Sequence, residues 1–166
     1  MTNEHDLASK IARAKQLLAE IHHVPLATVS DDGTPLNSPL FMAFDTQLHG
    51  YWSSSPECMH SRNIARDGKV FMALFDSRDG HGGLYIEATA KVLETPQAIA
   101  PAYERMRALK QQFYGSMGAL EDYLGAAPQR LYCATPVRLW VNKSERNEQG
   151  VIIADRRYLI KPEDLQ

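Results

Sequence analysis

The sequence predicts a mainly β protein, an antiparallel barrel with helices at its periphery. Three observations predict it. Apolar and polar residues alternate over several short runs, an Asp-Gly pair joins two such runs, and the elements follow the order helix, three strands, short helix, two strands, helices, strand. A doubly wound parallel sheet needs strands and helices to alternate, which these do not. The 166 residues, 44% hydrophobic and 23% charged, are enough to close one substantial core, so a single domain spanning residues 1–166 is expected.

The elements can be justified in chain order. Leu7, Ile11, Ala14, Leu17, Leu18 and Ile21 recur at three- and four-residue intervals, the pattern of an amphipathic helix within residues 1–23. Barrel strands are expected over residues 24–94. Leu26–Ser30 and Leu36–Asp45 flank Asp32-Gly33, a hairpin turn, and Leu48–Ser53 makes a third strand. Ser54-Ser55-Pro56-Glu57 then reads as a Ser cap, a Pro in the first helical position and an acid in the first turn, opening a helix over 56–66 that ends near Asp67-Gly68. Val70–Phe75 is apolar on both faces, which predicts a central buried strand. Ser77–Gly83 is a polar, Gly-rich loop, and Leu84–Leu93 alternates as a further strand.

Residues 95–130 form a helical connection. Thr95-Pro96 repeats the cap-and-proline signal, Pro101 is a possible break, and a short helix is expected among the glycines of 115–130. The closing strand and tail occupy 131–166, with Tyr132, Ala134, Pro136, Arg138, Trp140 and Asn142 expected on one face and Leu131, Cys133, Val137, Leu139 and Val141 on the other.

Charge and cysteine content narrow the function classes. Eighteen Lys+Arg against twenty Asp+Glu give a net charge of −2, which offers no basic field for a nucleic acid or an anionic membrane. Cys58 and Cys133 form no Cys-x-x-Cys pair and read as reduced thiols, and no apolar run approaches the roughly 18 residues of a membrane span, so a cytoplasmic protein is expected. The histidines reach no metal-ligand spacing on one helix face. Asp79-Gly80-His81-Gly82-Gly83 lacks the strand-to-helix context of a nucleotide loop, and Glu104, Arg105, Arg107 and Lys110 read as a solvated helix face.

Trp52-Ser53-Ser54-Ser55-Pro56-Glu57-Cys58-Met59-His60-Ser61-Arg62-Asn63 carries the densest chemistry. Hydroxyls cluster where a strand hands over to a helix, and free N–H groups there attract an anion. His60, Arg62 and Asn63 add donors within the next turns. The same cluster also suits a plain helix cap, and composition alone does not separate the two.

The ordered set Ala27–Pro35, Pro39-Leu40-Phe41, Gly50–Ser55, His60–Ile64 and Val70–Asp76 closely resembles the pyridoxamine 5'-phosphate oxidase-like FMN-binding split-barrel family, from about Ile21 to Leu93 and again, weakly, over Thr135–Tyr158. The resemblance implies a six-stranded antiparallel split β-barrel that forms homodimers, with FMN held in clefts between the subunits. Carried over by position, Asn37, Ser38, Pro39 and Leu40 would run beside the isoalloxazine ring and ribityl chain, while Trp52, Ser53 and Ser54 would face ribityl and phosphate. Met59 and His60 fall where the oxidases have an Arg-Lys pair on the phosphate, with Asn63 beside them. Trp140 and Arg156 would approach from the partner chain.

Met59-His60 removes two permanent charges and leaves a histidine, with an ordinary pKa near 6.5, to support a dianion. The paired Arg and His that hold substrate phosphate in the oxidases have no counterpart in Trp140–Tyr158. The resemblance therefore implies an FMN-dependent oxidoreductase of a small molecule that is not a true pyridoxamine 5'-phosphate oxidase. No side chain declares itself as acid, base or nucleophile, so a non-catalytic flavin-binding or sensing module stays open, as does the same fold holding a deazaflavin or haem.

Overall fold

The computed structural model describes residues 2–78 and 82–165. Eight strands form one antiparallel sheet, curled into a half-barrel, with three helices around it. The strands are β1 (His23–Val29), β2 (Pro35–Phe41), β3 (Ala43–Phe44), β4 (Gly50–Ser54), β5 (Lys69–Phe75), β6 (Gly83–Val92), β7 (Arg130–Arg146) and β8 (Ile152–Ile160); the helices are α1 (Thr2–Glu20), α2 (Met59–Arg66) and α3 (Pro96–Tyr114). The order β2-β1-β5-β6-β7-β4-β3, with β8 on β7, puts β2 and β4 toward opposite ends of the hydrogen-bonded path, and curling brings them side by side without a ladder between them. The antiparallel split-barrel class expected from the sequence is the one observed; the eight strands exceed the expected six. β8 was hidden in the expected tail, and the Leu36–Asp45 strand breaks at Met42 into β2 and β3.

The hairpin at Asp32-Gly33 forms as expected. Ser30 N donates to Thr34 O at 2.9 Å, Gly33 takes φ +85°, and Val29 registers against Pro35. β2 contains Pro35 and Pro39, which an edge strand tolerates because a missing N–H there breaks no second ladder.

Two apolar cores lie on opposite faces of the curled sheet. The inner one joins Val24 and Leu26 of β1, Trp52 of β4, Met72 and Leu74 of β5, Leu84 and Ile86 of β6, and Leu139 and Val141 of β7, closed by Ala14 and Leu17 of α1 and Ile64 of α2. The second packs Ile99, Ala102 and Met106 of α3 over Tyr51, Leu131 and Cys133. Thr95 caps α3 by accepting from Ala98 N at 3.2 Å. Pro101 does not split this helix, because it sits on the exposed side, where the carbonyl that loses its partner stays in water.

Three expectations need correction. β5 is central, between β1 and β6, but buries only Val70, Met72 and Leu74; Phe71 and Ala73 are half-buried and Phe75 is exposed on the open outer face. The two faces expected along β7 exchange at a bulge: Arg138 registers against Glu87 and Pro136 against Ala88, leaving Val137 extra, so Tyr132 and Ala134 share the inner core with Leu139 and Val141. A single inserted residue inverts the period-two pattern. Ser55 caps a turn rather than α2: its Oγ accepts from Glu57 N and its carbonyl from Cys58 N, both at 3.2 Å, and α2 starts only after Cys58.

Candidate functional site

The split between β2 and β4 brings part of the expected set near one another, Asn37–Leu40 on β2 and residues 53–63 of β4 and α2. Among the described residues β2 has ladder bonds only to β1, so its other edge presents backbone N–H and C=O groups outside any ladder. Asn37 and Pro39 are exposed, and Ser38 and Leu40 half-buried. Facing this edge is the β4–α2 junction, held by the eight-residue α2.

α2 is anchored by buried polar contacts. Asn63 Nδ2 donates to Thr28 Oγ1 of β1 at 3.0 Å with both residues buried, and Arg66 donates to Val29 O. Asn63 therefore positions the helix, and one of its two amide N–H donors is already committed. Thr28 does not stand among the expected site residues; its signal in the sequence is a single hydroxyl on the apolar face of β1, in step with Val24 and Leu26.

The hydroxyls divide between faces. Ser54 and His60 are both buried, with Ser54 Oγ and His60 Nε2 joined by a 2.7 Å hydrogen bond. Burial pushes the imidazole pKa down, so His60 at neutral pH is a neutral hydrogen-bonding group and not a cation. Ser53, one residue earlier, points to the opposite face by strand alternation, where its Oγ accepts from Lys110 Nζ at 3.0 Å. Ser53, Ser54 and His60 thus do not form one cradle.

Lys110 is a second such residue, expected on the solvated face of α3 and found over β4. Glu104 and Arg107 do pair on the exposed side at 3.0 Å. Lys110, however, lies four residues beyond Met106 and eight beyond Ala102, on the buried stripe, and turns inward over β4. That spacing was the available signal. Withdrawal from water pushes its pKa down.

The remaining positions are spread out. Met59 is 56% exposed at the start of α2. Trp52 is fully buried, stacked on Tyr132 with centroids 5.4 Å apart, so its side chain belongs to the core. Trp140 lies on the outer face of β7, close to Phe71, and Arg156 is on β8, paired with Glu145 at 3.1 Å. Both sit farther along the β7–β8 hairpin than Arg130–Ala134, the part of β7 that pairs with β4, and the chain does not bring them to the α2 group. The Asp79-Gly80-His81 part of the expected loop lies outside the described residues.

The sequence pattern of pyridoxamine 5'-phosphate oxidase matches residues 11–143, most of the chain. The chain belongs to this family. Solved structures of the same fold include an F420 reductase, 20% identical over 76% of this chain and 94% of that one with a TM-score of 0.58. HutZ, the haem storage protein of Vibrio cholerae, is 19% identical over 76% and 90% with a TM-score of 0.61. A haem-binding protein of Mycobacterium smegmatis is 17% identical over 95% and 59% with a TM-score of 0.60. At such identities the likeness is one of fold. Comparison with curated protein sequences found no match. Proteins named for F420 and for haem thus share this fold, and no helix among the described residues is long and apolar enough to cross a membrane.

Proposed function

We propose that the chain is a cytoplasmic, FMN-binding oxidoreductase of a small molecule, working as a homodimer, and not a true pyridoxamine 5'-phosphate oxidase. The observation that carries the reading is the split itself: an edge strand with free backbone groups faces a strand-to-helix junction bearing hydroxyls, with a lysine reaching in from α3. This donor set fits FMN, whose ring edge needs backbone partners and whose phosphate needs hydroxyls and positive charge. Asn37–Leu40 would lie along the ring and ribityl chain, and Ser53 near the phosphate. When bound, FMN supplies two-electron transfer at its ring, and the protein supplies position and electrostatics.

The outer face of β5–β8 supports a dimer. Phe71, Tyr85 and Trp140 cluster there with Arg157 over the Tyr85 ring at 4.1 Å, Leu159 is 64% exposed, and Ile152 and Ile153 are bare on the β7–β8 hairpin. Beyond Val141, among the described residues, this hairpin has no third strand, an arrangement marginal in water without a covering surface. A second copy would cover it and bring Trp140 and Arg156 toward its neighbour's cleft.

The reading against pyridoxamine 5'-phosphate oxidation rests on Trp140–Tyr158, which contains no histidine. Its arginines are engaged, Arg146 with Gly150 O, Arg156 with Glu145 and Arg157 with aromatic rings.

The absorbance of the purified protein after addition of FMN tests the reading. Flavin bands that stay with a dimer on gel filtration are the expected result, and steady NAD(P)H consumption by that dimer would separate an enzyme from a binding module. A Soret band, or a protein that takes up F420 and ignores FMN, would move the cofactor to haem or deazaflavin. A colourless monomer that takes up none of these overturns the proposal.

A further inference from the structure

We propose that Lys110, with the Ser53 hydroxyl, is the phosphate-binding cation of this site, supplied from α3; this rests on the flavin reading above. A lysine that serves only solubility extends its ammonium into water. Lys110 does the reverse, lying half-buried across β4 with the neutral Ser53 Oγ as its hydrogen-bond partner. Among the described residues no carboxylate forms an ion pair with it. Glu104, the acid on its own helix, is taken by Arg107. Asp45, the acid at the β3–β4 loop, is filled by His49 and Tyr51 at 2.9 and 2.8 Å. A partly desolvated charge without a counter-ion is costly, and a phosphate monoester beside it would remove that cost.

Position agrees with charge. Ser53 immediately precedes the β4–α2 junction, and its side chain lies on the face of β4 that α3 covers, not on the buried side of Ser54 and His60. Three and four residues beyond Lys110, Phe113 and Tyr114 are more than half exposed and pack edge-on against Phe41 of β2, with centroids 5.8 and 5.1 Å apart. One end of α3 therefore presents a cation and an aromatic platform beside the edge strand. That combination suits a ligand with a planar ring and an anionic tail.

Riboflavin shares the ring and lacks the phosphate, so paired titrations of FMN and riboflavin, read by quenching of flavin fluorescence, isolate the contact. In Lys110→Gln, FMN binding should weaken about ten- to a hundredfold while riboflavin binding stays unchanged, and Lys110→Arg should recover part of the loss. Ser53→Ala, which removes only a hydroxyl, should weaken FMN binding several-fold in the same phosphate-dependent way and serves if Lys110→Gln proves poorly folded by circular dichroism. If Lys110→Gln and Ser53→Ala bind FMN as the unaltered protein does, the assignment of Lys110 is overturned and the flavin reading stands. If the unaltered protein binds neither flavin, both fall.

Discussion

The bond between Thr28 and Asn63 makes α2 part of the barrel, and breaking it should show how much the candidate site owes to one buried contact. Thr28 is 3% and Asn63 6% exposed, so neither group can turn to water when its partner is lost. Thr28→Val leaves the amide of Asn63 without its acceptor, and Asn63→Ala leaves the Thr28 hydroxyl without its donor; each orphaned group costs about 1–3 kcal/mol. At about 2 kcal/mol apiece, and about 2–4 °C per kcal/mol for a chain of this size, each variant should melt roughly 4–8 °C lower. The double variant buries no orphan from this pair, and the packing loss at position 63 is common to it and the single variant. It should therefore lose at least 1 kcal/mol less than the sum. Chemical denaturation of all four proteins at one fixed protein concentration measures the cycle. Additivity within about 0.5 kcal/mol would refute the coupling and leave Asn63 free for the cofactor role that its position in the sequence suggested.

Other residues give independent expectations. Asp76 accepts from the Arg78 guanidinium and backbone N–H, which hold its pKa down to about 2; its stabilisation is therefore complete above the ordinary carboxylate pKa near 3.9 and disappears as pH falls towards 2. Asp76→Asn should flatten acid unfolding across that window, and an unchanged acid limb would remove Asp76 as its source. Burial of His60 acts with the opposite chemistry but the same pH slope: the fold favours the neutral ring, so stability is full above pH about 6.5 and declines as pH falls and the unfolded chain takes up a proton first. His60→Gln should lose that part of the slope in melting curves taken between about pH 7 and pH 5, whereas a retained slope would assign it to other groups. A Cβ on Gly68 would lie 2.6 Å from the Ala90 carbonyl oxygen, so Gly68→Ala should destabilise by about 1–3 kcal/mol, and a melting temperature equal to that of the unaltered protein would show that β6 can give way.

Local chemistry made much of this protein readable before its structure. Alternation of Leu84, Ile86, Ala88 and Ala90 marks the buried face of β6, Asp32-Gly33 makes the β1–β2 turn, and Thr95-Pro96 starts α3, because each depends on neighbours in the chain. The ordered motifs between Ile21 and Leu93 were enough to suggest the family. Errors arose where a distant partner decides. The bulge at Val137 has no signature apart from the register against β6, and β8 is a strand because β7 pairs with it. Ser54, Ser55 and Pro56 carry every local sign of a helix cap, yet Ser54 is claimed by His60 and the helix waits until Met59.

The site divides along the same line. Sequence by itself placed hydroxyls, a histidine and an asparagine around one strand-to-helix junction, since these are consecutive residues. Only the tertiary structure decided which of them share a face: His60 is buried with Ser54 and loses its charge, Asn63 is spent on Thr28, and Lys110 arrives from 57 residues away to meet Ser53. The physical reason is that charge and hydrogen-bond commitment depend on solvent exposure and on partners, and in a curled sheet both are set by strands distant in sequence.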